Sequence, residues 1–363
     1  MDKTTKRIFR INHMIICLIG SLAFSSCLKD EPFKSGYEGF KPKKIDDDWE
    51  RSSLEAEKVN ESLIEQAYRL INEDDRYKMA RSLLVFRNGK LIAEAYPEDK
   101  ADIHRIHHIQ SVTKSITSIL TGIAMQNGDM TDPDEKLYAI FPEYFDNDDT
   151  KRDISIRDAL CMQTGLLFDN DKHTKKLYHS SHSVTYVLSL PKVSGAGTEM
   201  LYNDGAPHLI SKAIESKSGK TLEQYASEHL FSVLGITDWL WESAEDGTTF
   251  GAFGLYLKPR DLGKIGQLLL QNGKWGEVQL IDPGYLQEAT REQAIDDADQ
   301  PYGYYFWILP DHAYYALGHG GQFLLVSPEK SLVVVYTAWP YSDSRFFDEP
   351  SELMDLIIES CED

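Results

Sequence analysis

Ser111-Val112-Thr113-Lys114-Ser115-Ile116-Thr117-Ser118-Ile119-Leu120-Thr121-Gly122-Ile123 is the stretch on which the reading of this chain turns. Ile116, Ile119, Leu120 and Ile123 recur at helical spacing, so the segment is expected to be a helix buried along one apolar stripe. On that helix Ser111 and Lys114, at i and i+3, share a face within reach of each other. A hydroxyl at the first turn also lies in the positive field of the helix N-terminus, which favours alkoxide character. A neighbouring lysine becomes a base only if burial or another cation lowers its pKa. The spacing alone carries little weight, because Ser26/Lys29 and Ser327/Lys330 show it too. The latter pair runs through Pro328, and neither opens an amphipathic helix.

Outward from this helix, the pattern before it is Leu63, Ile64, Ala67, Leu70 and Ile71 on one helical face. Two strand-like runs follow, Ser82–Phe86 and Leu91–Tyr96, joined through Asn88-Gly89, a strong hairpin signal. Residues 110–290 are expected to be mostly helical, and strand patterns return at Tyr302–Ile308, Phe323–Val326 and Leu332–Tyr336 before a terminal helix over 349–361. Strands at both ends with helices between predict an α/β (α+β) domain, in which one antiparallel sheet is built from chain ends that meet and a helical subdomain is inserted.

Two further segments bear on chemistry. Gly197-Thr198-Glu199-Met200-Leu201-Tyr202-Asn203-Asp204 is a turn followed by a tyrosine and polar residues, and Gly318-His319-Gly320-Gly321-Gln322 lies between two strand-like runs. With Ser111 and Lys114 they resemble, in order, the motifs of serine hydrolases of the class C β-lactamase and penicillin-binding protein-like family. The likeness extends over about 52–363 through Asp158–Leu166, Arg260–Gly266, Asn272–Trp275 and Tyr302-Gly303-Tyr304 with Trp307.

The resemblance implies a β-lactamase/transpeptidase-like fold with an antiparallel sheet flanked by helices. It implies Ser111 as nucleophile, Lys114 and Tyr202 as the proton-transfer groups, and an oxyanion hole from the backbone N–H groups of Ser111 and Gln322. His319, Gly320 and Gly321 would form the substrate-side strand. Asp204 stands where the family usually has Asn, and a carboxylate near Lys114 would raise its pKa and make it a poorer base. His319 replaces a lysine that binds the carboxylate of β-lactams in drug-hydrolysing relatives, so β-lactam turnover is expected to be weak. No cofactor is implied. An ester or small-amide hydrolase is the leading reading; a D-amino-acid peptidase or weak β-lactamase and a catalytically impaired surface binding protein are the alternatives.

The 363 residues carry 38 Lys and Arg against 58 Asp and Glu, a net charge of −20 that argues against a nucleic-acid partner. A small-molecule ester, amide or peptide is the expected partner; oligomeric state is not encoded legibly. His104, His107 and His108 have a spacing that could grip a metal from a helix, but no acidic or cysteine partner completes a motif nearby, so none is expected. Residues 1–26, with Lys3, Lys6, Arg7 and Arg10 ahead of an apolar run from Met14 to Phe24, read as an export signal too short to span a bilayer. Phe24-Ser25-Ser26-Cys27 resembles a lipobox, implying a lipoprotein anchored through Cys27 to a bacterial membrane, facing the periplasm or the cell surface. Residues 27–51 are read as a tether. Of the remaining thiols, Cys161 lies in an apolar context, and no pairing with Cys361 is expected.

Overall fold

The computed structural model describes residues 37–145, 148–339 and 350–361. Residues 1–26, read as an export signal, and Cys27 lie outside these residues. Eight strands form one antiparallel sheet: β1 (Ala80–Arg87), β2 (Lys90–Ala95), β3 (Ala294–Ile295), β4 (Pro301–Tyr302), β5 (Trp307–Ile308), β6 (Tyr314–Gly318), β7 (Gln322–Ser327) and β8 (Leu332–Ala338). Their spatial order is β2-β1-β8-β7-β6-β5-β4-β3. The ends of the chain therefore meet at the β1/β8 seam, where Leu84 faces Val335 and Val85 faces Val334. The β1–β2 turn has Asn88 at φ 52° and Gly89 at φ 78°, the left-handed pair that matches the twist of a tight hairpin.

Five helices matter to the argument: α1 (Glu61–Glu73), α2 (Val112–Asn127), α3 (Gly205–Ser218), α4 (Pro259–Leu270) and α5 (Pro350–Ser360). Helix α1 starts at Asn60, whose side chain accepts from the N–H groups of Ser62 and Leu63, and it buries Ile64, Ala67, Tyr68 and Ile71. It packs on α5. Helix α4 lies against β1 and β8. It is close enough that a Cβ on Gly263 would sit 2.5 Å from the Phe86 ring, and one on Gly266 would sit 2.4 Å from Val333.

Helix α2 departs from the single-stripe expectation. Val112 through Ala124 are buried on every side. Most of the helix's buried hydroxyls are pegged to a partner: Ser115 Oγ donates to Tyr305 O at 2.5 Å, Thr117 Oγ1 to Gly251 O at 2.7 Å, and Ser118 Oγ lies 3.1 Å from Tyr285 Oη, whereas Thr113 Oγ1 is buried with none. Short hydroxyl side chains can be buried when each finds an acceptor, so polarity at these positions did not signal exposure.

Other expectations are revised. The run Tyr302–Ile308 is two short strands, interrupted at Tyr305 in the left-handed region at φ 64°. Strand β6 is a separate strand directly ahead of the Gly318–Gln322 segment, beyond the Tyr302–Ile308 run. The middle of the chain also holds a small antiparallel sheet of His107–His108, Leu255–Leu257 and Leu240–Trp241, elements too short for any periodicity to show.

The segment read as a tether packs from Phe40 onward. Glu94 N–H donates to Phe40 O, Leu91 N–H to Glu50 O and Ser52 N–H to Leu91 O, so residues 40–52 run along the β2 edge. Arg260 of α4 clamps this segment: its guanidinium donates to Glu94 Oε1 at 2.7 Å and Oε2 at 3.0 Å, to Asp47 Oδ2 at 2.6 Å and to Lys43 O at 2.8 Å. The Glu94 side chain is 0% exposed. Arg260→Ala would strand that carboxylate, and stability is expected to fall by about 3–5 kcal/mol in urea denaturation, with new protease cleavage between 40 and 52. Cleavage and stability unchanged from the native protein would refute the clamp.

Candidate active site

Ser111 is the N-cap of α2 at φ −67° and ψ −7°, and its side chain makes no capping bond to the helix. The hydroxyl is thereby left to Lys114, whose Nζ donates to Ser111 Oγ at 3.0 Å. The residue before it, Gln110, sits in the left-handed region at φ 51°, a conformation that costs energy for a side chain with a Cβ. The Gln110 amide lies 2.9 Å from His108 Nδ1, and Gly254 N–H donates to His108 Nε2 at 3.0 Å. The Gln110 atom facing Nδ1 is the amide nitrogen, and the tautomer of the ring sets which of the two donates. Burial and the nearby His319 push the His108 pKa down to about 4, which keeps the ring neutral.

Lys114 is 1% exposed. Besides Ser111 it donates to Asp204 Oδ1 at 2.6 Å and to Ala252 O at 3.2 Å. An ammonium has three hydrogens and no lone pair, so these three acceptors and the Tyr202 hydroxyl compete for them. The Tyr202 ring lies 4.9 Å from Nζ, presenting its π-face to the cation. Burial pulls the Lys114 pKa down, but Asp204 and Tyr202 together outweigh it and the net shift is upward. The Asp204 carboxylate thus lies within ion-pair distance of Lys114, the contact on which the expectation of a raised pKa depends.

Asp204 is itself held from two sides. Thr174 Oγ1 donates to Asp204 Oδ2 at 2.6 Å, and Asp204 N–H donates to Asn170 Oδ1 at 2.9 Å. Both partners come from the helix Asn170–Tyr178 and were not identified from sequence. Their i, i+4 spacing puts them on one face, but among Lys172, Lys175 and Lys176 the helix reads as solvated surface.

Tyr202 is half-buried and stacks on Trp307 at 5.9 Å, with Tyr302 edge-on at 6.2 Å. The aromatic strand thus braces the tyrosine. Facing it, Gly318 ends β6 so close to the turn before Ser111 that a Cβ there would lie 2.5 Å from Ile109 O. His319, Gly320 and Gly321 form the β6–β7 turn, closed by Gly321 N–H donating to Gly318 O at 3.1 Å. Gln322 opens β7 with its side chain turned away into the sheet, donating to Ala338 O at 2.7 Å. Burial lowers the His319 pKa, so the imidazole is neutral at pH 7.

The histidine triplet is not on a helix. His104 ends a short 3-10 turn, whereas His107 and His108 are successive residues of a strand and point to opposite faces. Among the described residues, no three His, Cys, Asp or Glu side chains converge as metal ligands. Cys161 and Cys361 are both buried free thiols, and burial pushes the Cys161 thiol up to about 12. Among the described residues no helix is long and apolar enough to cross a membrane.

The Beta-lactamase family profile matches residues 76–351, which include every site residue above. The chain belongs to the Beta-lactamase family. This β-lactamase-family hydrolase is similar in structure to a candidate 6-aminohexanoate-dimer hydrolase from Bacillus anthracis, at a TM-score of 0.69 and 16% identity over 88% of each chain. It is also similar to a family VIII carboxylesterase, at 0.67 and 15% identity over 82% of this chain and 97% of that one. For a class C β-lactamase the values are 0.65 and 13%, over 83% and 96%. At these identities the likeness shows the β-lactamase/transpeptidase-like fold anticipated from the motifs. No curated protein matches the sequence.

Proposed function

We propose that this protein hydrolyses an ester or small amide through an acyl-enzyme on Ser111. The observation that carries the reading is the 3.0 Å contact between Ser111 Oγ and a buried Lys114, at a helix N-terminus free of any competing side-chain cap. Ser111 Oγ bonds to the substrate carbonyl carbon as its proton passes to the Lys114/Tyr202 pair, and the carbonyl oxygen becomes an oxyanion against the N–H groups of Ser111 and Gln322. The pair returns the proton to the departing alcohol or amine. Water then repeats the sequence on the acyl-enzyme and restores Ser111.

With three acceptors around Lys114, the pair must be one proton short before it can accept the serine proton. Activity is therefore alkaline-limited, set by the Asp204 contact. A neutral His319 offers no fixed cation to a carboxylate, and the net charge of −20 disfavours anions at a distance, so uncharged esters and amides are preferred over penicillins. Labelling with a fluorophosphonate, together with slow acylation by a fluorescent penicillin, tests this reading. Rapid penicillin acylation would move the assignment to the β-lactamase or D-amino-acid peptidase alternative.

We further propose that the chain is exported and held to a bacterial membrane by lipid on Cys27, on the strength of the basic and apolar run before it. Cys27→Ser is expected to shift the protein from the membrane to the soluble fraction, and retention on the membrane would count against the anchor.

A further inference from the structure

Away from Ser111, a cleft of about 440 Å³ opens where the 47–50 segment, Gly89 of the first hairpin, Gly235, helix α4 and the Trp275-Gly276 turn come together. Its volume falls in the range of roughly 300–1,000 Å³ usual for small-molecule sites. None of Ser111, Lys114, Tyr202 or Asp204 lines it.

Its walls are chemically mixed. Trp49 and Trp275 are half-buried indoles at the cleft. Trp49 is held in place, packed at a 39° tilt against the Phe86 ring at 4.3 Å and donating its indole N–H to Arg260 O at 3.2 Å. Gln267 is 6% exposed. Its amide nitrogen abuts the Gly89 backbone, and its Oε1 is buried without a donor. One turn away Lys264, 5% exposed, places Nζ 3.3 Å from Gly235 O and 3.6 Å from the Asp261 carboxylate. Asp47, Asp48 and Glu50 also line the cleft, Asp47 paired with Arg260 and Glu50 3.3 Å from Lys90 Nζ.

A buried amide oxygen with no donor is unfavourable, so the Gln267 carbonyl marks a place where an incoming donor gains. An acyl chain or a plain aromatic ring would cover the indoles and leave that carbonyl unsatisfied. A carboxylate or phosphate could accept from Lys264, but it brings no donor to the Gln267 carbonyl. A polyhydroxylated ring meets all the conditions: hydroxyls that donate to Gln267 Oε1 and accept from Lys264 Nζ, and a C–H face that packs on an indole. We propose that this cleft is a second binding site, separate from the hydrolytic one, for a neutral saccharide.

The test titrates the full chain with maltotetraose, cellotetraose, mannotetraose, chitotetraose and tetragalacturonate, following indole fluorescence and heat. At least one neutral oligosaccharide is expected to bind saturably, and tetragalacturonate not at all. Trp275→Ala, on an exposed two-residue-strand hairpin, and Gln267→Leu are each expected to weaken binding at least tenfold. Ser111→Ala is expected to bind as the native protein does, which separates this site from the hydrolase reading. No saturable binding of any neutral oligosaccharide below about 10 mM, near the weakest end of specific recognition, overturns the proposal. Binding undiminished in both Trp275→Ala and Gln267→Leu, or a preference for tetragalacturonate, overturns it equally.

Discussion

Ser111→Ala is expected to lower hydrolysis of a chromogenic short-chain ester by on the order of 10⁴-fold or more and to abolish fluorophosphonate labelling. The side chain is half-buried and makes no helix-capping bond, so removing its oxygen takes away little that holds the fold. Lys114 loses one of three acceptors but keeps Asp204 and Ala252 O. The melting temperature should therefore stay within a few degrees of native, corresponding to about 1 kcal/mol or less. Equal labelling of native and variant proteins would remove Ser111 from the mechanism.

The second large effect is expected at Asp204. In the native protein the Lys114 pKa lies above its ordinary value because Asp204 and Tyr202 together outweigh burial. The fraction of enzyme able to accept the Ser111 proton then grows as pH rises, and kcat/KM should climb about tenfold per pH unit through neutrality. Asp204→Asn keeps an oxygen for Lys114 and can reverse the Thr174 bond, with the new amide donating to Thr174 Oγ1, but removes the charge. Burial then acts on Lys114 with less opposition and its pKa falls. The rising limb should move at least about one unit toward acid, with the rate at pH 7 up about tenfold and the alkaline plateau little changed. The cost is stability, because a buried ammonium has lost its counter-ion, a loss of about 3–5 kcal/mol unless the lysine sheds its proton. A limb that does not move in Asp204→Asn would show that the Lys114/Tyr202 pair does not set the profile.

How much of this was legible in sequence varied with the kind of residue. Asn88-Gly89 announces its hairpin because left-handed backbone demands such residues, and the Ser111 helix announces itself because its isoleucines and leucine repeat with the turn. The order of Ser111, Lys114, Tyr202 and the His319–Gly321 turn was enough to indicate the family and the fold. Thr174, Asn170 and His108 were not legible, since each acts on a partner far along the chain or across a strand pair and has no local pattern of its own. The tether reading failed from Phe40 onward for the same reason: Arg260, which clamps Asp47 and the Lys43 carbonyl, lies more than 200 positions away.

By itself, then, the sequence determined the longer elements, which rest on short-range periodicity, and, through the likeness of its motifs to the family, the residues Ser111, Lys114 and Tyr202 and the unusual Asp204. The tertiary structure alone decided the protonation of the site. Whether Lys114 is a base or a cation depends on burial pulling its pKa down and on Asp204 and Tyr202 pulling it up, contributions that exist only once α2, α3 and the 170–178 helix have packed together.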